Sequence, residues 1–455
     1  MTESHGLRRT LGFTDLVLIT VGTVIGSGIF LVPGLVLRET GARSGLALTV
    51  WAVAGVLSWL GALSYAELGA MRPEAGGLYV YIRDAFGPLP AFLYGWSSFL
   101  VIASGSIAAL AVAFSSYLGQ LVPLGGFPAP LVSVLVIALL AGLNVRGTRQ
   151  SANVQNWSTA AKVGGLLLLS LALLALGRGS AAGAAAGPAP LASPSLAAGL
   201  GAAMIGVLWA YEGWQYVSYS AGEARDPQRT FPRAIVLGTA ALVAIYLLAC
   251  LGYIAALGPD GVAASRRVAA EAATALFGPA AGRLVALIIL VSICSATNGT
   301  VLTLPRAFFA MARDGIFFRR LAQVHPRFGT PAVAIVATSA WAMLLAVSGT
   351  FEQLLTYVVF VGWIFYALGA LSLFSYRRRL PDAGRTFRVP GYPVTPLLFV
   401  GCAAAIVLNT MVAQPVRAAI GLGVVLLGSP AYLIWRRRAA PAAEPVTEPG
   451  GAPRP

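Results

Sequence analysis

The chain has 455 residues, of which 58% are hydrophobic and only 10% are charged. With a mean hydropathy of +0.80, it is too apolar for an ordinary soluble domain, so lipid is its expected solvent. The formal net charge of +15 could suit a nucleic-acid binder, but the arginines are spread over short loops and form no single basic face, which argues against nucleic acid as a partner.

About twelve apolar runs are long enough to cross a hydrocarbon core of ~30 Å as helices. They lie near residues 13 to 37, 44 to 70, 90 to 119, 129 to 144, 153 to 177, 196 to 221, 233 to 257, 283 to 311, 331 to 349, 353 to 376, 391 to 413 and 416 to 435. The long loop after the seventh run contains a further short helix, expected on the surface from Arg267 to Leu276. The sequence therefore predicts an all-α membrane protein of about twelve transmembrane helices.

The distribution of arginine predicts the orientation of these helices. With a cytoplasmic N-terminus, about 21 cationic residues lie inside and about seven outside, as the positive-inside rule demands. We therefore expect a multi-pass protein of the cell inner (cytoplasmic) membrane with both termini in the cytoplasm. Residues 1–10 would form a cytoplasmic tail, and residues 439–455, made largely of Ala, Pro and Glu, a disordered one.

Two of the predicted spans are interrupted near their middles by glycine and polar residues. The first carries Gly22 to Phe30 and the sixth carries Trp209 to Trp214; five spans separate them, so the two run in opposite directions. Interrupted helices at matching positions are typical of inverted-repeat transporters and point to the binding site. Alternatively, Gly26 and Gly28 only allow close helix packing, but a carboxylate at bilayer depth, here Glu212, normally faces a cavity.

The two predicted breaks offer complementary backbone groups. Amides around Ser27 and Gly28 open the second half of the first helix, where the positive end of the helix dipole favours a carboxylate. Freed carbonyl groups near Trp209 and Glu212 suit an ammonium group. A zwitterionic amino acid satisfies both sets.

Lys162, in the middle of the fifth span, is the single lysine among 31 lysine and arginine residues. Its use inside the membrane indicates a need for a compact ammonium group that arginine cannot supply. The alternative is a lysine that only holds helices together. Either interpretation removes a need for sodium.

Resemblance to a known family rests on several segments that occur in the right order. They are Val21 to Phe30, Tyr65 to Gly69, Trp209 to Trp214, Asp226 to Ile235 and Asn298 to Gly315. Together they resemble the L-type amino acid transporters (LAT family) of the amino acid, polyamine and organocation (APC) superfamily, in the style of a bacterial member. The resemblance implies a leucine-transporter-like fold, with a 5+5 inverted repeat at residues 11–192 and 193–376, two further helices at 377–438, and helices 1 and 6 broken.

The same resemblance implies roles for individual residues. The amides of Ser27 and Gly28 would hold the substrate carboxylate, and the carbonyl groups of Val24, Trp209 and Glu212 its amine, with the Trp209 ring as a thin gate. Five further positions complete the predicted substrate site: Ile25, Gly26, Ala210, Gln215 and Ser106. Lys162 would lie near the second sodium site of sodium-coupled relatives and bridge the first helix near Gly26 to the eighth near Thr300.

The sequence therefore predicts sodium-independent transport of L-amino acids by alternating access, as an exchanger, with proton-coupled symport through Lys162 as the alternative. A membrane-embedded enzyme would need clustered histidines or acids at bilayer depth, and the chain has two histidines, both outside the spans. A channel would need a charged ring or a repeated filter sequence.

No metal-ligand spacing appears, and no cofactor is implied. Relatives with a disulfide-linked heavy subunit carry a cysteine between helices 3 and 4, and Gln120 to Pro128 has none, so no such partner is expected.

Overall fold

A computed structural model describes residues 7, 9–122, 128–177, 195–348, 351–381 and 384–438 of the chain. The predicted disordered tail and most of the loop from Gln120 to Pro128 lie outside the described residues. In the described part, the structure is built from helices, and one isolated bridge pairs Leu11 with Ala224.

Seventeen α-helices form the described part of the chain. They are α1 (Phe13–Val24), α2 (Gly28–Glu39), α3 (Ser44–Met71), α4 (Leu78–Phe86), α5 (Pro88–Ser97), α6 (Ala103–Leu121), α7 (Ala129–Arg146), α8 (Thr148–Leu176), α9 (Leu196–Ala210), α10 (Pro227–Ala264), α11 (Val268–Phe277), α12 (Pro279–Thr303), α13 (Pro305–Arg313), α14 (Ala332–Ser348), α15 (Phe351–Arg379), α16 (Val394–Ala413) and α17 (Pro415–Arg438). One turn of π-helix (Ser98–Ile102) joins α5 to α6, and a 3-10 helix (Tyr216–Glu223) follows α9.

These helices make up the twelve predicted spans. Nine segments in the described residues are long and apolar enough to cross a membrane, and two of them join consecutive helices, α5 with α6 and α12 with α13. The bent pair of α1 and α2 forms a tenth span, and the shorter apolar helices α9 and α14 supply the sixth and ninth. We number them as spans 1 to 12 in chain order. The predicted all-α membrane protein with a twelve-helix transporter fold is confirmed, whereas the repeat boundaries at residues 192 and 376 stay predictions.

Spans 1 and 6 are broken where the sequence predicted. Span 1 bends by 43° between α1 and α2, and α9 ends at Ala210, followed by a turn before the 3-10 helix. Gly213 within that turn has a φ of +117°, a conformation that favours glycine. The helical ladder is therefore interrupted in both spans.

Two short helices lie outside the spans. The predicted surface helix is α11, displaced by one residue. The amphipathic helix α4 was not predicted, because its nine residues are too few for the long apolar runs that identify spans. Its polar side chains contact the C-terminal end of span 8: Tyr79 and Arg83 donate to Asp314 Oδ2 at 2.6 and 2.7 Å.

Buried ion pairs hold the ends of the spans on the side of the N-terminus. Glu67 accepts from Arg377 Nη2 at 2.6 Å, and Glu223 accepts from Arg306 Nε at 2.8 Å. Both carboxylates are fully buried, and Thr148 adds a hydrogen bond to Glu223. These acids anchor loops and helix ends through arginine, and neither reaches the breaks.

Candidate functional site

The two helix breaks face one small closed cavity. Its walls are formed by Thr23, Val24, Gly26, Ser27, Gly28, Ser106, Leu110, Trp209, Glu212, Tyr216 and Thr300. Its volume of about 20 Å³ has room for a water molecule but not for an amino acid. In this conformation the space between the breaks must therefore widen before a ligand of that size enters.

Eight of the predicted site residues lie on this wall: Val24, Gly26, Ser27, Gly28, Ser106, Trp209, Glu212 and Thr300. The other four lie behind it. The Ile25 carbonyl points to Lys162, Ala210 packs on Gly28, and the Gln215 amide donates to Glu212. The structure thus brings the predicted residues together around this cavity. Some line it, and the others contact the residues that line it.

The start of α2 presents free hydrogen-bond donors to the cavity. In the described part of the chain, the first α2 amide that finds a backbone carbonyl is that of Phe30, which donates to Ser27, as the geometry of a helix N-terminus requires. Ser27 occupies the N-cap position, yet its hydroxyl does not cap the helix. That Oγ is buried and has no partner among the described residues. Amides and a hydroxyl at a helix N-terminus together suit an anionic group.

Gly28 also has a packing role that the sequence left open. A Cβ at Gly28 would lie 2.5 Å from the Cα of Ala210, so α2 and the end of α9 touch backbone to backbone. A larger residue at position 28 therefore meets Ala210, as well as any ligand. A loss of ligand binding in Gly28→Val would therefore not separate these two effects.

The carbonyl groups at the breaks are shared with Tyr246 of α10. Its hydroxyl lies 3.0 Å from the carbonyl oxygens of both Val24 and Ala210. A hydroxyl has one proton, and each carbonyl has two lone pairs, so this arrangement leaves acceptor capacity at the breaks. The Trp209 carbonyl accepts from the Glu212 amide at 3.0 Å. Carbonyl groups with spare lone pairs beside the cavity can accept from an ammonium group.

Glu212 is buried beside the cavity and held by neutral donors. Its Oε1 accepts from Gln215 Nε2 at 2.7 Å, from the Tyr216 hydroxyl at 3.0 Å and from the Tyr366 hydroxyl at 2.5 Å. An ionised carboxylate only accepts hydrogen bonds, so three donors on one oxygen suit its charged form. The Tyr366 contact also ties span 6 to span 10.

Lys162 is fully buried and bonds to the break in span 1. Its Nζ donates to the carbonyl oxygens of Gly22 and Ile25, both at 2.6 Å, and more weakly to that of Ser292 at 3.4 Å. Ser292 Oγ itself donates to Ile25 O at 3.0 Å. Lys162 therefore links spans 5, 1 and 8 at the first break.

The expected bridge to span 8 at Thr300 is wrong. Thr300 lies eight residues after Ser292 on α12, which is about 12 Å along a helix axis, and its hydroxyl donates to Ala296 O at 2.8 Å. The bridge on span 1 was expected near Gly26, and the acceptors are Gly22 and Ile25. Thr300 instead lines the cavity.

Several residues of the site could not be found from the sequence. Thr23, Leu110 and Tyr216 line the cavity, while Tyr246, Tyr366 and Ser292 support it. Tyr216 follows Glu212 by four residues, but the intervening turn removes the helical spacing that would place both on one face. Tyr246 and Tyr366 lie on unbroken apolar helices, where nothing in a single sequence separates them from other buried tyrosines.

Two wide vestibules lie on either side of the cavity. The N-side vestibule, of about 710 Å³, is lined by Leu7, Arg9, Pro73, Glu74, Ala75, Val80, Arg83, Gly222, Phe309, Ala310, Arg313 and Asp314. The far-side vestibule, of about 590 Å³, is lined by Leu31, Ala113, Ser116, Tyr117, Ala264, Arg266, Arg267 and Glu271. The small cavity therefore lies between a vestibule on the side of the N-terminus and one on the opposite side.

The barrier toward the far side is the thinner of the two. Leu31 and Ala113 of the far-side vestibule follow the cavity residues Gly28 and Leu110 by three positions, about 4.5 Å along each helix. On the N-side, Gly222 of the vestibule follows the cavity residue Tyr216 by six positions, which is about 12 Å along a 3-10 helix. One helical turn therefore separates the cavity from the far-side vestibule.

Comparison with known proteins agrees with this architecture. Residues 11–427 match the amino acid permease family. The chain is similar to the serine/threonine exchanger SteT of Bacillus subtilis, with 30% identity over 96% of this chain and 99% of that protein. It is also similar to the human b(0,+)-type amino acid transporter 1 (33% identity, 91% of this chain, 85% of that protein) and the human cystine/glutamate transporter (31%, 96% and 87%). The chain therefore belongs to the amino acid permease family of the APC superfamily, and the resemblance to L-type transporters is confirmed.

Proposed function

We propose that this amino acid permease is a sodium-independent exchanger of L-amino acids that works by alternating access around the central cavity. The observation that carries the proposal is the small cavity between two helix breaks, with the Ser27 hydroxyl, which has no partner among the described residues, on one side and the carbonyl group of Val24 on the other. This pairing is complementary to the carboxylate and the ammonium group of one amino acid. The two vestibules supply the approach from each face.

Lys162 supports independence from sodium. Its ammonium group already donates to two carbonyl oxygens of the first break at 2.6 Å, and backbone carbonyl oxygens are the type of ligand that a sodium ion would need there. A fixed positive charge in this position takes over the structural role of a bound cation. The buried carbonyl groups are then satisfied at every stage of transport without a coupling ion.

The lining favours small neutral substrates. Hydroxyl groups of Ser106 and Thr300 and the carboxylate of Glu212 border the cavity, and a second carboxylate in the substrate side chain would be repelled by Glu212 at low dielectric. Serine and threonine, the substrates in the name of the Bacillus subtilis relative, are the first to test. In the cell, the chain would act in the inner membrane with both termini cytoplasmic and without a disulfide-linked heavy subunit.

The test is uptake of labelled serine by proteoliposomes. Exchange predicts fast uptake when the vesicles hold unlabelled serine, slow uptake when they are empty, and the same rate when choline replaces sodium outside. Labelled glutamate should enter poorly under all conditions. Dependence on sodium, or equal rates into empty and loaded vesicles, would contradict the proposal.

Proton-coupled symport is the second candidate, because two ionisable side chains, Lys162 and Glu212, are buried beside the breaks. Symport predicts that an imposed pH gradient, acidic outside, drives accumulation into empty vesicles, and that collapse of the gradient with a protonophore abolishes it. An exchanger shows neither effect. The two mechanisms are therefore separated in the same vesicle preparation.

A further inference from the structure

The far-side vestibule contains an uncompensated positive charge next to a polar wall. Arg266 has neither an ion pair nor a hydrogen bond within the described part of the chain. Arg267 Nε lies 3.9 Å from Glu271 Oε1, which makes a long and therefore weak ion pair. The Tyr117 hydroxyl, buried on the same wall, has no partner among the described residues. Groups of both signs and a free phenol therefore meet in one cavity.

The loop that carries the two arginines is fixed against span 1. A Cβ at Gly34 would lie 2.5 Å from the carbonyl oxygen of Ser265, so α2 and the loop are in backbone contact. Arg38 Nη1 donates to the Ala263 carbonyl at 2.8 Å, and the Arg267 amide donates to Ser265 Oγ at 3.1 Å. The arginines are held at a defined place above α2, the helix whose N-terminus faces the cavity.

The vestibule has the size and the position of an entry site. Its volume of about 590 Å³ is ample for an amino acid, which the cavity below it cannot hold in this conformation. Leu31 lies one turn from Gly28 on the same helix, so a ligand in the vestibule is separated from the α2 amides by that one turn. Guanidinium groups bind carboxylates in a planar, two-pronged geometry.

We propose that Arg266 and Arg267, with Glu271 and Tyr117, form a receiving site in the far-side vestibule that binds a zwitterionic amino acid before it enters the cavity. The arginines take the carboxylate, Tyr117 adds a donor, and Glu271 faces the ammonium group. This inference rests on the proposed exchange of amino acids and adds a second, weaker site on one face. Because the arginines are partly exposed, the site lowers the KM for uptake from this face and leaves the maximal rate unchanged.

The test compares labelled serine uptake by intact cells and by inside-out vesicles, which present opposite faces of the protein. For Arg266→Gln and Arg267→Gln, KM at one face should rise about threefold each, and about tenfold in the double variant. KM at the other face and the maximal rate should keep their wild-type values. The wild-type KM at the affected face should also rise with ionic strength, and that of the double variant should not.

Arg283→Gln is the matched control, because Arg283 lies at the start of α12 on the same side and does not line the vestibule. Equal loss in this control, or loss only in vesicles that contain anionic lipid, would show that the arginines contact lipid headgroups and would overturn the receiving site. Wild-type KM values in the double variant at both faces would also overturn it, while exchange itself would stand. No serine transport by the wild type would instead refute the proposed function, and the receiving site with it.

Discussion

The hydroxyl of Thr23 lies 3.1 Å from the carbonyl oxygen of Gly213, and 2.8 and 3.1 Å from those of Ile19 and Thr20 in its own helix, so the last turn before the first break contacts the turn that forms the second. Tyr246 and the contact between Gly28 and Ala210 add further links between the same segments. Spans 1 and 6 are therefore packed on each other at their breaks. Span 1 is linked to spans 5 and 8 by the side-chain hydrogen bonds of Lys162.

Removal of the Thr23 hydroxyl should weaken substrate binding without a large loss of stability. Thr23→Val keeps the shape and the methyl group but loses the hydroxyl, whose proton is shared between Gly213 O at 3.1 Å and the carbonyl oxygens of Ile19 and Thr20 in its own helix; the loss is expected to cost about 0.5 to 1.5 kcal/mol. The dissociation constant for serine should rise about twofold to tenfold. Thr23→Ser, which keeps the hydroxyl, is the control and should bind closer to the wild type. A Val variant that binds as the wild type does would show that the link is dispensable.

Gly28→Ala should impair transport even though it adds a single methyl group. The new Cβ would lie 2.5 Å from the Ala210 Cα and 2.6 Å from its Cβ, distances that force the two breaks apart. Because the nearer atom is backbone, Ala210→Gly should fail to rescue Gly28→Ala in uptake and thermal unfolding measurements. Full rescue would mean that only the Ala210 side chain matters, and that the backbone contact can relax.

Ser27 and Ser292 should give opposite results when changed to alanine. Ser27 Oγ has no protein partner in the described part of the chain, so Ser27→Ala should leave the unfolding temperature unchanged. A lost hydrogen bond to a charged carboxylate is worth about 1.5 to 3 kcal/mol, so KM should rise at least about tenfold. Ser292→Ala removes a bond to Ile25 O and should lower the unfolding temperature. A fall in the unfolding temperature for Ser27→Ala would mean that the Ser27 hydroxyl makes a hydrogen bond within the protein.

The sequence predicts the spans and both breaks because each depends on local chemistry. An apolar run must cross the bilayer, and a glycine-rich or polar interruption cannot continue a helix in lipid without other partners. Ser27 and Gly28 could be placed at the cavity for the same reason. Thr300 was assigned the wrong role, since the register of α12 against α8 depends on packing between distant spans. Tyr246 was missed because only the folded structure brings its hydroxyl to the breaks.

The orientation of the spans is open to a direct test. A reporter fused after Arg438 should score as cytoplasmic, and one inserted near Ala186, outside the described residues, as periplasmic, since the arginine bias is about three to one. The N-side vestibule would then open to the cytoplasm. Opposite scores would reverse the assignment of the two vestibules and refute the expected cytoplasmic termini.

Lys162 gives the sharpest test of sodium independence. Lys162→Ala leaves the carbonyl groups of Gly22 and Ile25 without a donor, although Ser292 still serves Ile25. A buried group without its partner costs about 1 to 3 kcal/mol, so the unfolding temperature should fall and exchange should slow. Lys162→Arg keeps the charge but brings a wider planar group. The carbonyl oxygens of Gly22 and Ile25 both lie 2.6 Å from the present ammonium nitrogen, so the wider group has little room between them. An electrostatic link would survive in part in the arginine variant.

The discriminating measurement is serine exchange by the wild type, Lys162→Ala and Lys162→Arg across pH, with choline in place of sodium. If Lys162 acts only as a fixed charge, the arginine variant retains part of the exchange rate and follows the wild-type pH profile. If it releases a proton during transport, the arginine variant is inactive at every pH, because guanidinium does not deprotonate in practice. Wild-type rates in both variants would leave Lys162 without a role. A wild type that needs sodium would refute the substitution of a cation by Lys162.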